Sequence, residues 1–127
     1  MKEYLTSNPQ TFNEICKKVA LSGFGLTAGN VESKKFGCMM VATESKSENW
    51  MNMRQSPYLL VFYREPDLIE DGVLRKLLEI AKSKSYVKVI IFSSAGFTRT
   101  AISFSENRPV ELINKDKLEV LLSKADI

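Results

Sequence analysis

Apolar residues are densest between Tyr86 and Asn114, in YVKVIIFSSAGFTRTAISFSENRPVELIN. Val87, Val89, Ile90, Ile91 and Phe92 form a β-branched and aromatic run, which predicts a strand covered on both faces. Ser93, Ser94 and Gly96 interrupt it. Thr98 then starts a short helix whose small inner face carries Ala101, Ile102 and Ser105. Asn107 and Pro109 end that helix, and Val110 to Ile113 predicts a second, shorter strand. A strand, tight turn, helix and strand in succession imply a parallel pairing through a crossover.

The rest of the chain alternates between the same two periods. Residues 1–8 read as a loosely held lead-in. Thr11 and Glu14 stand at capping-box spacing, and Phe12, Ile15, Cys16 and Val19 then repeat at helical intervals. They predict a helix over 12–22, stopped by Gly23 and Gly25. Residues 24–27 predict a short strand, and 28–35, with Gly29 and Asn30, a turn. FGCMMVATE, residues 36–44, predicts a second strand. KSENWMNMRQ, residues 46–55, has no period, and its Trp50, Met51 and Met53 read as a flap folded on the core. Pro57 opens a third strand, YLLVFYRE, with Phe62 and Arg64 on one face and Tyr63 and Glu65 on the other. Both faces are largely apolar, which places this strand centrally.

Pro66 stops it, and Asp67 and Glu70 stand where a helix would begin. Val73, Leu74, Leu77, Leu78 and Ala81 supply that helix with a buried stripe. Asn114 caps a last helix with Leu118, Leu121, Leu122 and Ala125 inside. The order α-β-β-β-α-β-α-β-α implies one α/β domain over residues 1–127. Its expected architecture is a mixed central sheet flanked by helices.

Composition narrows the chemistry. No histidine occurs, so His-based triads, Cys–His dyads and histidine-ligated zinc are excluded. Cys16 falls on the predicted apolar helix face and Cys38 in a strand, where buried free thiols are expected. A disulfide is disfavoured in a reducing compartment. The net charge of +3 is too small to diagnose a nucleic-acid binder. No apolar run approaches the roughly 20 residues of a membrane helix, and MKEYLTSNPQ lacks the apolar core of a signal peptide. The expected setting is cytoplasmic, with no membrane partner.

The stretch IIFSSAGFTRTAISFSENRPVELINKDKLEVLL resembles the C-terminal half of Mrr-type restriction endonuclease domains, of the PD-(D/E)xK nuclease superfamily. Ser93, Ser94, Gly96, Phe97, Thr98, Ala101, Glu111, Leu112, Ile113, Leu118, Leu121 and Leu122 match in order. The helix ending at Gly23-Phe24 resembles the family's opening helix, and YLLVFYRE resembles the strand that carries its lysine. The resemblance implies a restriction endonuclease-like fold. It also implies Mg²⁺-assisted phosphodiester hydrolysis, with an Asp and a Glu or Gln on the metal and a Lys beside the water.

At the decisive positions this chain departs from that pattern. Aligned on Asp-x-Gly-x-Asp, Lys35-Phe36-Gly37-Cys38-Met39 keeps the glycine but puts Met39 at the aspartate. The Gln-x-Lys step falls on Phe62-Tyr63-Arg64, and the helix-1 glutamate on Asn13 or Glu14. Met and Phe cannot hold a hard cation, and Arg is a poor proton acceptor. The implied site is a filled cleft with an arginine at its rim, no metal and no cofactor. Glu44 is the best candidate for a migrated ligand, although a solvated strand-end carboxylate is the plainer reading.

The expected role is therefore a non-catalytic nuclease-fold module that binds nucleic acid or scaffolds a nucleic-acid-processing or transcription complex. Lys34, Lys35, Arg54, Arg64, Ser94, Thr98 and Arg99 are the candidate contacts. Plain turn and cap chemistry is the competing account of the Ser and Thr residues. The alternatives are a divergent Mg²⁺-dependent endonuclease using Glu44, and a protein-interaction or dimerisation module with Trp50, Met51 and Met53 as its contact.

Overall fold

The computed structural model describes residues 1–44 and 56–127. The flap containing Trp50, Met51 and Met53, together with Arg54, lies outside the described residues. Five strands form one mixed sheet in the order β1-β2-β3-β4-β5. These are β1 (Leu26–Lys34), β2 (Gly37–Glu44), β3 (Tyr58–Tyr63), β4 (Lys88–Ser93) and β5 (Val110–Ile113). The first three pair antiparallel, and β3, β4 and β5 run parallel through helical crossovers. The third strand is central, as its doubly apolar sequence requires.

One face of the sheet packs under α1 (Lys2–Thr6), α2 (Pro9–Phe24) and α5 (Lys115–Lys124). Its core includes Tyr4, Phe12, Cys16, Cys38, Leu60, Phe62, Phe92 and Leu118. The other face packs under α3 (Asp71–Ser83) and α4 (Arg99–Ser105), with Val61, Leu74, Val89, Ile91 and Ala101 buried between. Predicted caps hold at two helices. Thr98 Oγ1 accepts from the Ala101 N–H at 3.1 Å, and Asn114 Oδ1 accepts from the Lys117 N–H at 3.0 Å.

Four sequence expectations change. The supposed lead-in contains the helix α1, and Tyr4 on it is fully buried. The cap of α2 is Asn8, which accepts from the Thr11 N–H at 2.8 Å ahead of Pro9. That earlier start displaces the Thr11–Glu14 box. Residues expected to be a turn instead form most of β1, a nine-residue strand. As an edge strand it buries little and tolerates Asn30, Glu32 and Lys34, so composition did not reveal it. A register shift between Ala28 and Val31 absorbs Gly29 and Asn30. Finally, α3 begins at Asp71, and neither Asp67 nor Glu70 caps it through a side chain.

Candidate functional site

Where β2 begins and β3 ends, α1 and α2 close over the sheet. Cross-strand register decides which side chains meet there. Cys38 lies opposite Phe62, and Met39 lies opposite Val61. Directly opposed residues share a face. Met39 therefore points to the α3 side while Phe62 and Arg64 belong to the α1–α2 side. The expectation that Met39 and Phe62 fill one pocket is overturned, and Cys38 stands on the Phe62 side instead. Neighbouring residues of a strand take opposite faces, so the glycine-anchored position Met39 falls on the α3 side.

The cleft is apolar at its floor. Phe62 stacks on Phe92, with centroids 4.1 Å apart and planes 7° from parallel. Tyr4 meets Phe12 edge-on at 4.9 Å, and its hydroxyl donates to the Tyr63 carbonyl at 2.8 Å. Cys16 and Cys38 are both buried free thiols on this floor. Burial pushes the Cys16 thiol well up, and contact with Cys38 adds to it. Burial likewise raises the Tyr4 phenol.

Arg64 lies just past β3 and is occupied. Its Nη1 donates to the Ser7 carbonyl at 2.7 Å and to the Tyr4 carbonyl at 3.4 Å. Its guanidinium carbon sits 4.2 Å from the centroid of the Phe12 ring. The arginine thus ties the end of α1 to the sheet through charge-assisted and cation–π contacts. Of the two candidates for the helix-1 acid, Glu14 faces solvent and pairs with Lys17 at 3.3 Å. Asn13 faces the sheet and donates from Nδ2 to Ser33 Oγ at 3.0 Å. Asn13 Oδ1 is a buried atom without a hydrogen-bond partner among the described residues.

This donor set does not fit Mg²⁺. One amide oxygen, two buried thiols and a set of aromatic rings cannot replace the oxygen shell of a hard cation, and a guanidinium adjoins them. Glu44 does not repair the deficit. It ends β2, six residues from Cys38, roughly 20 Å away at the usual strand rise. It is also exposed. Its proposed migration into the cleft is overturned by that separation.

The six basic and hydroxyl candidates fare differently. Lys34, Gly37, Tyr63 and Ser93 form one row across four strands. Lys34, Lys35, Arg64, Ser94, Thr98 and Arg99 therefore lie along the same end of the sheet. Several are committed elsewhere. Lys34 Nζ pairs with Glu32 at 3.0 Å, Arg64 holds α1, and Thr98 Oγ1 caps α4. Ser93, not Ser94, organises the turn: its Oγ accepts from the Ala95 and Gly96 N–H groups and donates to the Gly96 carbonyl. Lys35 and Arg99 remain exposed on that end. Phe36 and Tyr63, stacked at 4.1 Å and half-buried, stand between the hairpin tip and β3; the sequence reading had not singled them out.

The Mrr_cat family model, described as restriction endonuclease, matches residues 5–122. The chain belongs to this family. No curated protein matches it. Among solved structures it is similar to the DNA modification-dependent restriction endonuclease AspBHI, with a TM-score of 0.70 at 13% identity. That likeness covers 99% of this chain and 33% of AspBHI, so the chain spans about a third of that protein's length. The Mrr-type restriction endonuclease fold accounts for the five-stranded mixed sheet and its flanking helices.

Proposed function

We propose that this Mrr-family domain is a non-catalytic, nucleic-acid-binding module. What supports the reading is the content of the cleft: Phe62 aligns with the family's metal-side residue, Cys38 lies opposite it, and Asn13, one of the two residues aligned with the helix-1 glutamate, brings an amide rather than a carboxylate. Arg64, at the lysine position, is bound to the carbonyls of Ser7 and Tyr4. Binding would fall on the sheet end carrying Lys35 and Arg99, with Lys34 and Ser94 beside them. Nucleic-acid backbones reward such cations through counterion release, and the half-buried Phe36–Tyr63 pair offers an aromatic surface to bases. The DNA-directed description of AspBHI agrees with DNA as the partner.

Two measurements test this. Incubation with Mg²⁺ or Mn²⁺ and single-stranded, duplex or branched DNA is expected to give no cleavage. Metal-dependent cleavage by the purified chain would replace the proposal with the endonuclease reading. A salt titration of DNA binding is expected to show a shallow slope, about −2 for two phosphate contacts. Absence of binding at low salt would remove the nucleic-acid role.

A further inference from the structure

We infer that the free edge of β5 is a docking groove for an extended acidic peptide, which adds to the sheet as a sixth strand. β5 pairs with β4 on one side, and no strand follows it among the described residues. The Val89 N–H donates to the Pro109 carbonyl at 3.0 Å. In a parallel ladder, the amide groups of successive residues then alternate in direction. Glu111 faces β4, and the Leu112 N–H and C=O face outward, toward any added chain.

A groove of about 710 Å³ runs along this edge. Leu68, Phe97, Ile102 and Leu112 give it apolar footing, and Leu68 and Ile102 are about half exposed, at 53% and 50%. A second hollow of about 380 Å³ continues it past Lys88 and Arg108 toward Lys82. The charged residues lining the two are Lys82, Lys88, Arg108 and Lys117 against a single acid, Glu111. Glu111 is already paired with Lys88 at 2.9 Å. Arg108 is held in place by stacking 4.0 Å over Phe104, whose ring also carries Arg75 at 4.4 Å.

Together these features select one guest. An outward backbone donor and acceptor suit a strand. Apolar footing suits alternate side chains, and flanking cations suit acids between them. A nucleic acid would use the cations but neither the amide edge nor Leu68 and Ile102. The opposite edge is a poorer host, because β1 carries a bulge between Ala28 and Val31 and charges of both signs in Glu32 and Lys34. The short length of β5 and the preceding Pro109 limit the guest to about five residues at the usual strand rise.

The test uses the full chain and an array of fluorescein-labelled octapeptides alternating Leu or Val with Glu. A Lys-for-Glu array and a single-stranded oligonucleotide serve as comparisons. The acidic array is expected to contain binders, and the Lys array none. The double charge reversal Arg108→Glu with Lys117→Glu is expected to weaken binding about tenfold or more. The same reversal should let Lys peptides bind, which a merely unfolded variant cannot do. Peptide binding should also slow hydrogen exchange at the Leu112 amide. Failure of every acidic peptide, or binding indifferent to the charge reversal, overturns the inference. So does oligonucleotide binding that alone responds to these substitutions. The DNA reading of the other sheet end is judged separately, through Arg99, and stands or falls independently.

Discussion

Gly37 is held to glycine by its neighbour. Its φ is 154°, and a Cβ there would drive into the Phe62 carbonyl oxygen. Gly37→Ala is expected to cost about 3 kcal/mol or more, read by chemical denaturation, because β2 and β3 would have to separate. Arg64 illustrates the opposite case, a residue whose identity was legible but whose work was not. The sequence aligns Arg64 with the family's lysine. Only the folded chain supplied the carbonyls of Ser7 and Tyr4 and the ring of Phe12. Arg64→Lys restores the family's residue type but loses the planar fork. It is expected to lower stability by about 1–2 kcal/mol and to confer no Mg²⁺-dependent cleavage in a DNA digestion assay. Appearance of cleavage would mean that the cleft can still assemble around a metal.

Among the elements, α4 sets a structural cap, Thr98, beside the proposed DNA contact, Arg99. Thr98→Ala removes the hydroxyl that caps Ala101 and is expected to cost about 1 kcal/mol of stability. DNA affinity should stay unchanged. Arg99→Ala should do the reverse, weakening DNA binding and reducing the salt slope by about 1 with the melting temperature preserved. A loss of affinity in Thr98→Ala at unchanged stability would return the hydroxyl to the binding site. α1 and β1 show why elements escaped notice. Five residues cannot nucleate a helix alone, so α1 exists through Tyr4 and Arg64 rather than through its own propensity. β1 is wet on its exposed side and polar in composition, and pairing with β2 is what makes it a strand. Elements read correctly, among them β2, β3, β4, β5 and α5, carry an apolar pattern fixed by burial.

Across the whole molecule, the two faces of one sheet do different things. The α1–α2 face buries Tyr4, Cys16, Cys38 and Phe62. It carries a pH signature, since burial raises the Tyr4 and Cys16 pKa values, and burial first and then Glu65 raise that of Tyr63 on the other face. Unfolded tyrosine and cysteine ionise at lower pH than these buried groups do, so the unfolded chain releases its protons first. The associated stability is fully present below about pH 8.5 and is lost as pH climbs through the ordinary thiol and phenol ranges. Tyr4→Phe is expected to flatten this alkaline decline in denaturation curves measured between pH 7 and 11. An unchanged slope would show that Tyr4 ionises in the fold as freely as outside it.

The amino-acid sequence determined the α/β class, the central third strand and the parallel unit at the C-terminal half. Those features depend on local periodicity and residue chemistry, which a chain carries before it folds. Tertiary structure decided that Cys38 rather than Met39 joins Phe62, that Arg64 is spent on α1, and that Glu44 lies a strand's length away. Glu44's separation follows from the length of β2 and Arg64's role from how α1 packs, while the Cys38–Phe62 pairing depends on register, on which residue of one strand stands opposite which of the next. That choice is made by packing across the whole sheet and leaves no trace in any single segment.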